Sequence, residues 1–236
     1  MTLEDKVAYI TGGSKGIGYE VAHSLLEQGM KVAISGRNLE TVTKAAEKLG
    51  TSDKILALAS NVTLIDDERN AVQTILKKWG QLDVVIANAG IGHFAPIDEL
   101  KEEDWNHMIQ TNLTGAFYTL KASIEALKKS NGYYMTVASL AGANFFAKGA
   151  GYNATKFGLV GFTQAVMLDL RKYGIKVTTI MPGSVATYFN NNEPSEKDDW
   201  KIQPEDIGKL IVDLLTMHPR TLPSKIEVRP TRPDLK

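Results

Sequence analysis

Short apolar runs rich in β-branched residues, each bounded by turn formers, recur at positions 7–10, 32–35, 55–59, 84–87, 133–139, 177–180 and 226–228. Runs this short read as buried strands, which gives seven of them. Between them, apolar residues return at helical spacing through 17–28, 39–49, 65–79, 102–129, 152–172 and 205–216. This alternation predicts an α/β protein with a doubly wound, parallel seven-stranded sheet and helices on both faces. Gly29 and Gly50 stand where helix C-caps belong, and Pro204 stands at a helix start. Two segments, 142–151 and 184–203, break the rhythm after strand ends, where open α/β sheets bind ligands. The second is expected to form a short substrate lid. The tail from Arg229 through Pro230 to Pro233 lacks the N–H groups of a paired strand and is expected to lie over the surface.

Composition narrows the function. The 236 residues suit one domain, 1–236, and Lys plus Arg, 27, balance Asp plus Glu, 27. No overall field draws the chain to nucleic acid or to an anionic membrane. The absence of Cys excludes disulfides, thiolate metal sites and Cys nucleophiles, and no metal is expected. The first strand begins too early for a signal peptide, and no run reaches the length of a membrane span, so the expected location is cytoplasmic.

Between the first strand and first helix stands Thr11-Gly12-Gly13-Ser14-Lys15-Gly16-Ile17-Gly18. Glycines there allow a tight turn and bring backbone N–H groups and a helix N-terminus to a pyrophosphate, as in a Rossmann-like site. The spacing is Gly-x-x-x-Gly-x-Gly, and a plain tight βα connection is the alternative. The second strand ends Ser35-Gly36-Arg37, with no carboxylate for a ribose 2′-OH. Arg37, with Lys15 adding charge, suits a 2′-phosphate and favours NADP(H) over NAD(H). A solvated Arg37 paired with Glu40 is the competing reading.

Tyr152 and Lys156 are four residues apart. On a helix they stack about 6 Å apart along one face. A free phenol has a pKa of about 10, and a neighbouring ammonium is expected to lower it toward general acid/base work.

Together Thr11-Gly12-x-x-x-Gly16-x-Gly18, Asn88-Ala89-Gly90, Asn112, Ser139, Tyr152-x-x-x-Lys156 and Pro182-Gly183-x-Val185-x-Thr187 resemble the short-chain dehydrogenase/reductase family, in its compact single-domain form. The resemblance runs from about Lys6 to Thr187. It implies that Tyr152 exchanges a proton with the substrate oxygen as hydride moves to or from a nicotinamide. Lys156 would lower the Tyr152 pKa and hold ribose hydroxyls, Ser139 would bond the substrate oxygen, and Asn112 would hold a water between Lys156 and solvent. Asn88, Ala89 and Gly90 would pass the adenine ribose, Ser14 and Ile17 would sit in the pyrophosphate turn, and Thr187 would bond the carboxamide. Asn61-Val62 replaces the usual acid-Val pair beside adenine, Ala87 replaces a frequent Asn, and Glu227-Val228-Arg229-Pro230 replaces a glycine-rich ending.

His93, Phe94, Phe145, Phe146, Tyr188 and Phe189 are candidates to line the substrate pocket. Apolar walls around one polar centre favour small or medium ketones, aldehydes and alcohols. The leading reading is an NADP(H)-dependent carbonyl reductase or alcohol dehydrogenase of relaxed specificity. A 3-oxoacyl carrier-protein reductase is the runner-up, with Lys128, Lys129, Lys148, Arg171 and Lys172 as candidates to meet an acidic carrier. A non-catalytic NADP(H)-binding sensor or scaffold is the reading from another class. The family resemblance also implies a homodimer or homotetramer through helices 102–129 and 152–172.

Overall fold

A computed structural model describes residues 2–50 and 53–232; Pro233 of the tail lies outside the described residues. In chain order the elements are β1 (Val7–Thr11), α1 (Gly16–Glu27), β2 (Lys31–Gly36), α2 (Leu39–Leu49), β3 (Ile55–Ala59), α3 (Ile65–Trp79) and β4 (Val84–Ala87). They continue with α4 (Glu102–Met108), α5 (Gly115–Ser130), β5 (Tyr133–Val137), α6 (Ala150–Leu170), β6 (Lys176–Pro182), α7 (Pro204–Thr216) and β7 (Lys225–Val228). One sheet of seven strands runs β3-β2-β1-β4-β5-β6-β7, and all its pairings are parallel.

The central strands lack polar alternation because both faces are covered: β1, β4 and β5 are buried at every position. On one face α1, α2 and α7 pack Val21, Leu25, Val42 and Ile211 against Ile10, Ile34 and Ile86. On the other, α3, α5 and α6 pack Ile75, Leu127, Leu159 and Met167 against Tyr9, Val85 and Tyr134. Each fully buried Ile or Leu of this kind stabilises the fold by roughly 2 kcal/mol. The strand order reverses between β1 and β4, which opens a crevice at their C-terminal ends.

Three boundaries depart from the sequence expectation. The single helix at 102–129 is two helices, α4 and α5, separated by a π-helical turn, Ile109–Thr114. Gly115 N–H bonds back to Gln110 O, and a Cβ on Gly115 would lie 2.8 Å from Val62 Cγ2. The inserted residue turns Asn112 inward, and such turns concentrate where a helix must aim a side chain. Strand β5 ends at Val137, so Ser139 lies beyond it, and α6 begins at Ala150, one residue pair ahead of Tyr152. Segment 184–203 carries two short 3₁₀ turns, Phe189–Asn191 and Glu196–Asp198, and is closed at its base where Ala186 N bonds Ile202 O and Ile202 N bonds Ser184 O. Among the described residues no helix is long and apolar enough to cross a membrane.

Candidate active site

The crevice is built first from backbone. Thr11 Oγ1 accepts the N–H groups of Asn88 and Ala89, both at 3.1 Å, and Asn88 Nδ2 donates to Thr11 O and Gly12 O at 2.9 and 3.0 Å. These bonds fasten the end of β4 to the glycine turn after β1. Gly12 adopts φ 66°, and a Cβ on Gly18 would lie 2.5 Å from Gly12 O, so α1 can pack this close only with glycine there. Lys15 stands at the N-cap of α1 without a side-chain cap, and the first turn holds no acid. The helix-end N–H groups beside Ser14, Gly16 and Ile17 thus face the crevice, where an anion suits them.

Asn61 precedes buried Val62, and its Oδ1 accepts from Thr63 N and Thr63 Oγ1 while its own N–H bonds Asp67 Oδ2. That oxygen therefore braces its own turn first. Arg37 is exposed and makes no ion pair among the described residues, because Glu40 pairs with Lys44 at 2.6 Å. The Arg37–Glu40 pair is thus not formed, and Arg37 stands as an exposed side chain. Asn38 caps α2 through Thr41 N, which fixes the turn that carries Arg37.

The second wall follows β5. Ser139 caps a short turn by accepting Ala141 N at 3.1 Å, and its hydroxyl is within bonding reach of the Tyr152 phenol. Tyr152 and Lys156 stand on successive turns of α6, with Lys156 Nζ 5.6 Å from the phenol ring centroid and donating to Val137 O at 3.0 Å. Asn112 Oδ1 accepts Ile91 N, while Nδ2 donates to Ile91 O and to Thr155 Oγ1 at 3.0 Å. Gly90 lies between them: a Cβ there would be in ordinary contact with Asn112 Oδ1 at 3.5 Å and Lys156 Nζ at 3.6 Å. Ser139, Tyr152, Lys156 and Asn112 are thus brought to one end of the sheet.

The sign of one electrostatic expectation reverses. Burial pushes the Tyr152 phenol up to about 12, with only the Ser139 hydroxyl pulling the other way, and pushes Lys156 down to about 8. Both groups lose water, and the ammonium spends its short bond on Val137 O, so desolvation outweighs attraction across the pair.

The aromatic candidates divide. Phe94 packs edge-on against Tyr152 at 5.4 Å and against Phe146 at 5.7 Å, and Phe189 lies 5.7 Å from Tyr152. Phe145 is 84% exposed and stacks on Phe157, outside this group. His93 turns to α4, where its Nδ1 lies 3.4 Å from Asp104 Oδ1. Tyr188 lies under Lys15 Nζ at 5.8 Å, beside the glycine turn. The structure thus groups Phe94, Phe146 and Phe189 with Tyr152 and places the other three on other partners: loop side chains follow the nearest aromatic or charged surface, which spacing does not encode. Pro182 ends β6, Gly183 N bonds Val228 O, Val185 pairs with Ile202 at the base of segment 184–203, and Thr187 lies against Gly16.

Sequence reasoning missed Met108, Asn153 and Thr155. Met108 is fully buried beside Tyr152, Asn153 Nδ2 ties Ala141 O and Asn144 O to α6, and Thr155 Oγ1 donates to Tyr152 O. Two polar residues inside the Tyr152-to-Lys156 turn were the available signal. A cleft of about 590 Å³ between α3 and α5, lined by Lys6, Gln81 and Asp83, lies at the opposite, N-terminal end of the strands. It takes no part in this site.

A parallel sheet with a glycine turn at its reversal point and a Ser–Tyr–Lys cluster across the crevice, its Tyr152 and Lys156 buried, defines a dehydrogenase-type α/β protein. The short chain dehydrogenase family model matches residues 6–198, and the chain belongs to that family of oxidoreductases. An uncharacterized oxidoreductase of Staphylococcus aureus strain MRSA252 is 32% identical over 230 residues, covering 97% of this chain and 98% of the relative. An alcohol dehydrogenase from the archaeon Thermococcus sibiricus, solved with 5-hydroxy-NADP, superposes with a TM-score of 0.91 at 29% identity, over 98% of this chain and 100% of its own. A 3-ketoacyl-(acyl-carrier-protein) reductase from Brucella melitensis, solved with NADH, gives 0.89 at 26% identity over 98% and 99%.

Proposed function

We propose that this protein is an NADP(H)-dependent oxidoreductase that interconverts a small or medium carbonyl compound and its alcohol. The dinucleotide, when bound, supplies or accepts the hydride. The observation that carries this reading is the buried Tyr152 phenol between the Ser139 hydroxyl and the Lys156 ammonium. Tyr152, protonated at neutral pH, gives its proton to the carbonyl oxygen during reduction. Ser139 donates to the same oxygen as negative charge grows there. Lys156, brought near neutrality by burial, exchanges protons with the phenol, and Asn112, with both Nδ2 hydrogens taken by Ile91 O and Thr155 Oγ1, would hold the water that reconnects it to solvent as an acceptor. Phe94, Phe146 and Phe189 form the apolar wall that orients the substrate.

The residues fit the cofactor. The open first turn of α1 suits the pyrophosphate, Gly90 leaves room beside Lys156 for ribose hydroxyls, and Arg37, without an ion pair among the described residues, suits a 2′-phosphate together with Lys15. Asn61 and Val62 bound the adenine, while Pro182, Gly183, Val185 and Thr187 bound the carboxamide. The chain acts as one catalytic unit with 184–203 as its lid.

The carrier-protein alternative draws support from the Brucella neighbour and fits less well with the basic residues. Lys128 pairs with Glu125, and Arg171 follows the far end of α6, nineteen residues from Tyr152, or about 28 Å along the axis. Following NADPH oxidation with aldehydes, ketones, diketones and 3-oxoacyl thioesters tests the reading. Reduction of simple carbonyls is expected; reduction of thioesters alone promotes the carrier-protein enzyme, and NADPH binding without turnover promotes the sensor.

A further inference from the structure

Helix α3 buries Ala71, Val72 and Ile75, and Glu68 occupies the same inward stripe with no exposed surface. The spacing i, i+3, i+4, i+7 makes position 68 a core position, where a carboxyl needs an explanation. Glu68 Oε1 accepts Ser60 Oγ at 2.6 Å and Tyr9 OH at 3.0 Å, and Tyr9 OH lies 3.0 Å from Ser35 Oγ. Thr119 of α5 meets the carboxyl, but its hydroxyl proton goes to Gly115 O at 2.9 Å. Glu68 Oε2 is the one buried side-chain polar atom among the described residues with no hydrogen-bond partner.

A carboxylate here would set a buried charge against the Thr119 lone pairs. A carboxylic acid with its proton on Oε2 can donate to Thr119 and complete the network. Burial raises the Glu68 pKa, the bonds donated by Ser60 and Tyr9 offset part of that rise, and Asp67 adds to it. The ionisable groups facing it are Tyr9 on β1, Tyr134 on β5 and Asp67 on its own helix, and none of these is a cation.

The bonded hydroxyls lie at informative places. Ser60 precedes the Asn61-Val62 turn, and Ser35 precedes Gly36-Arg37, the two turns assigned above to adenosine. We infer that Glu68 is a positioning residue for the adenosine end of the cofactor site, holding the ends of β2 and β3 in place through Ser60, Tyr9 and Ser35. This rests on the dinucleotide reading of the crevice.

The test measures NADPH dissociation constants by calorimetry, kcat and KM, and cofactor-free thermal midpoints across pH, for wild type, Glu68→Gln, Glu68→Leu and Ser60→Ala. Gln puts a carbonyl acceptor and an N–H donor where the neutral acid has its C=O and O–H, with one further N–H, so Glu68→Gln keeps NADPH affinity within about twofold. Glu68→Leu weakens NADPH binding roughly tenfold, with kcat at saturating NADPH nearly unchanged, because the buried hydroxyls lose their shared acceptor. Ser60→Ala weakens binding in the same direction by a smaller factor and serves if the Leu variant does not fold. A raised folded-state pKa means the native state binds the extra proton, so wild-type stability falls as pH rises above the ordinary Glu range. Glu68→Gln lacks that fall, and its thermal midpoint gains on wild type as pH rises. Unchanged NADPH affinity in both Glu68→Leu and Ser60→Ala would overturn the positioning role alone, and a Gln–wild-type gap independent of pH would overturn the neutral-acid form of Glu68. Failure of wild type to bind NADPH or NADH would overturn the dinucleotide reading and the positioning role with it.

Discussion

Two tyrosines near the C-terminal ends of the strands show what burial does and does not confer. Tyr9 and Tyr152 are both buried, and burial raises the pKa of both. Tyr9 meets a carboxyl and the Ser35 hydroxyl with no exposed surface, so its phenol is a cross-link between strands and α3. Tyr152 meets a serine hydroxyl and a lysine near its own titration midpoint, on a rim where Phe146 is half exposed. Desolvation alone makes a tyrosine inert. On the function proposed above, a neighbouring cation that burial has brought close to neutrality, and a path to solvent, would make Tyr152 a proton exchanger.

The comparison breaks most visibly at Lys156. Lys156→Met is expected to lower kcat by about 10³-fold, within the range of general acid/base effects, measured with saturating NADPH. Ser139→Ala is expected to cost about 10²-fold in kcat, the lower end for loss of one oxyanion donor. The Lys156 shift also predicts a stability profile. The unfolded chain binds this proton up to the ordinary lysine value and the native state releases it near pH 8, so stability rises with pH between those values. Thermal melts of wild type minus Lys156→Met across that window are expected to show a rise on the order of 3 kcal/mol. Arg37→Ala is expected to raise the KM for NADPH roughly tenfold and leave that for NADH unchanged, an effect sized by loss of an exposed charge-assisted bond. Tyr9→Phe, the control on the other side of the comparison, is expected to leave kcat unchanged.

Much of this was legible in the residues. All seven strands could be read because the parallel sheet is buried on both faces and each strand is a short apolar run between turn residues. Ser139, Tyr152 and Lys156 were legible as candidates from residue type and spacing, and the structure brings the three together. The π-helical turn at Asn112 was not, since one inserted residue leaves the apolar rhythm on either side intact. The direction of the Tyr152 shift was not either, because attraction between neighbours can be read from spacing while burial cannot. Phe145, His93 and Tyr188 sit in loops whose side chains answer to Phe157, Asp104 and Lys15, partners distant in sequence. Glu68 left a signal that went unread, an acid in the apolar stripe with Ala71, Val72 and Ile75.

The most direct test compares wild type with Tyr152→Phe, measuring NADPH binding by calorimetry and NADPH oxidation against the substrates that wild type reduces. Loss of turnover by at least about 10²-fold, with NADPH affinity largely retained, is the predicted result. Retained turnover in Tyr152→Phe would contradict the assignment of Tyr152 as the group that handles the proton.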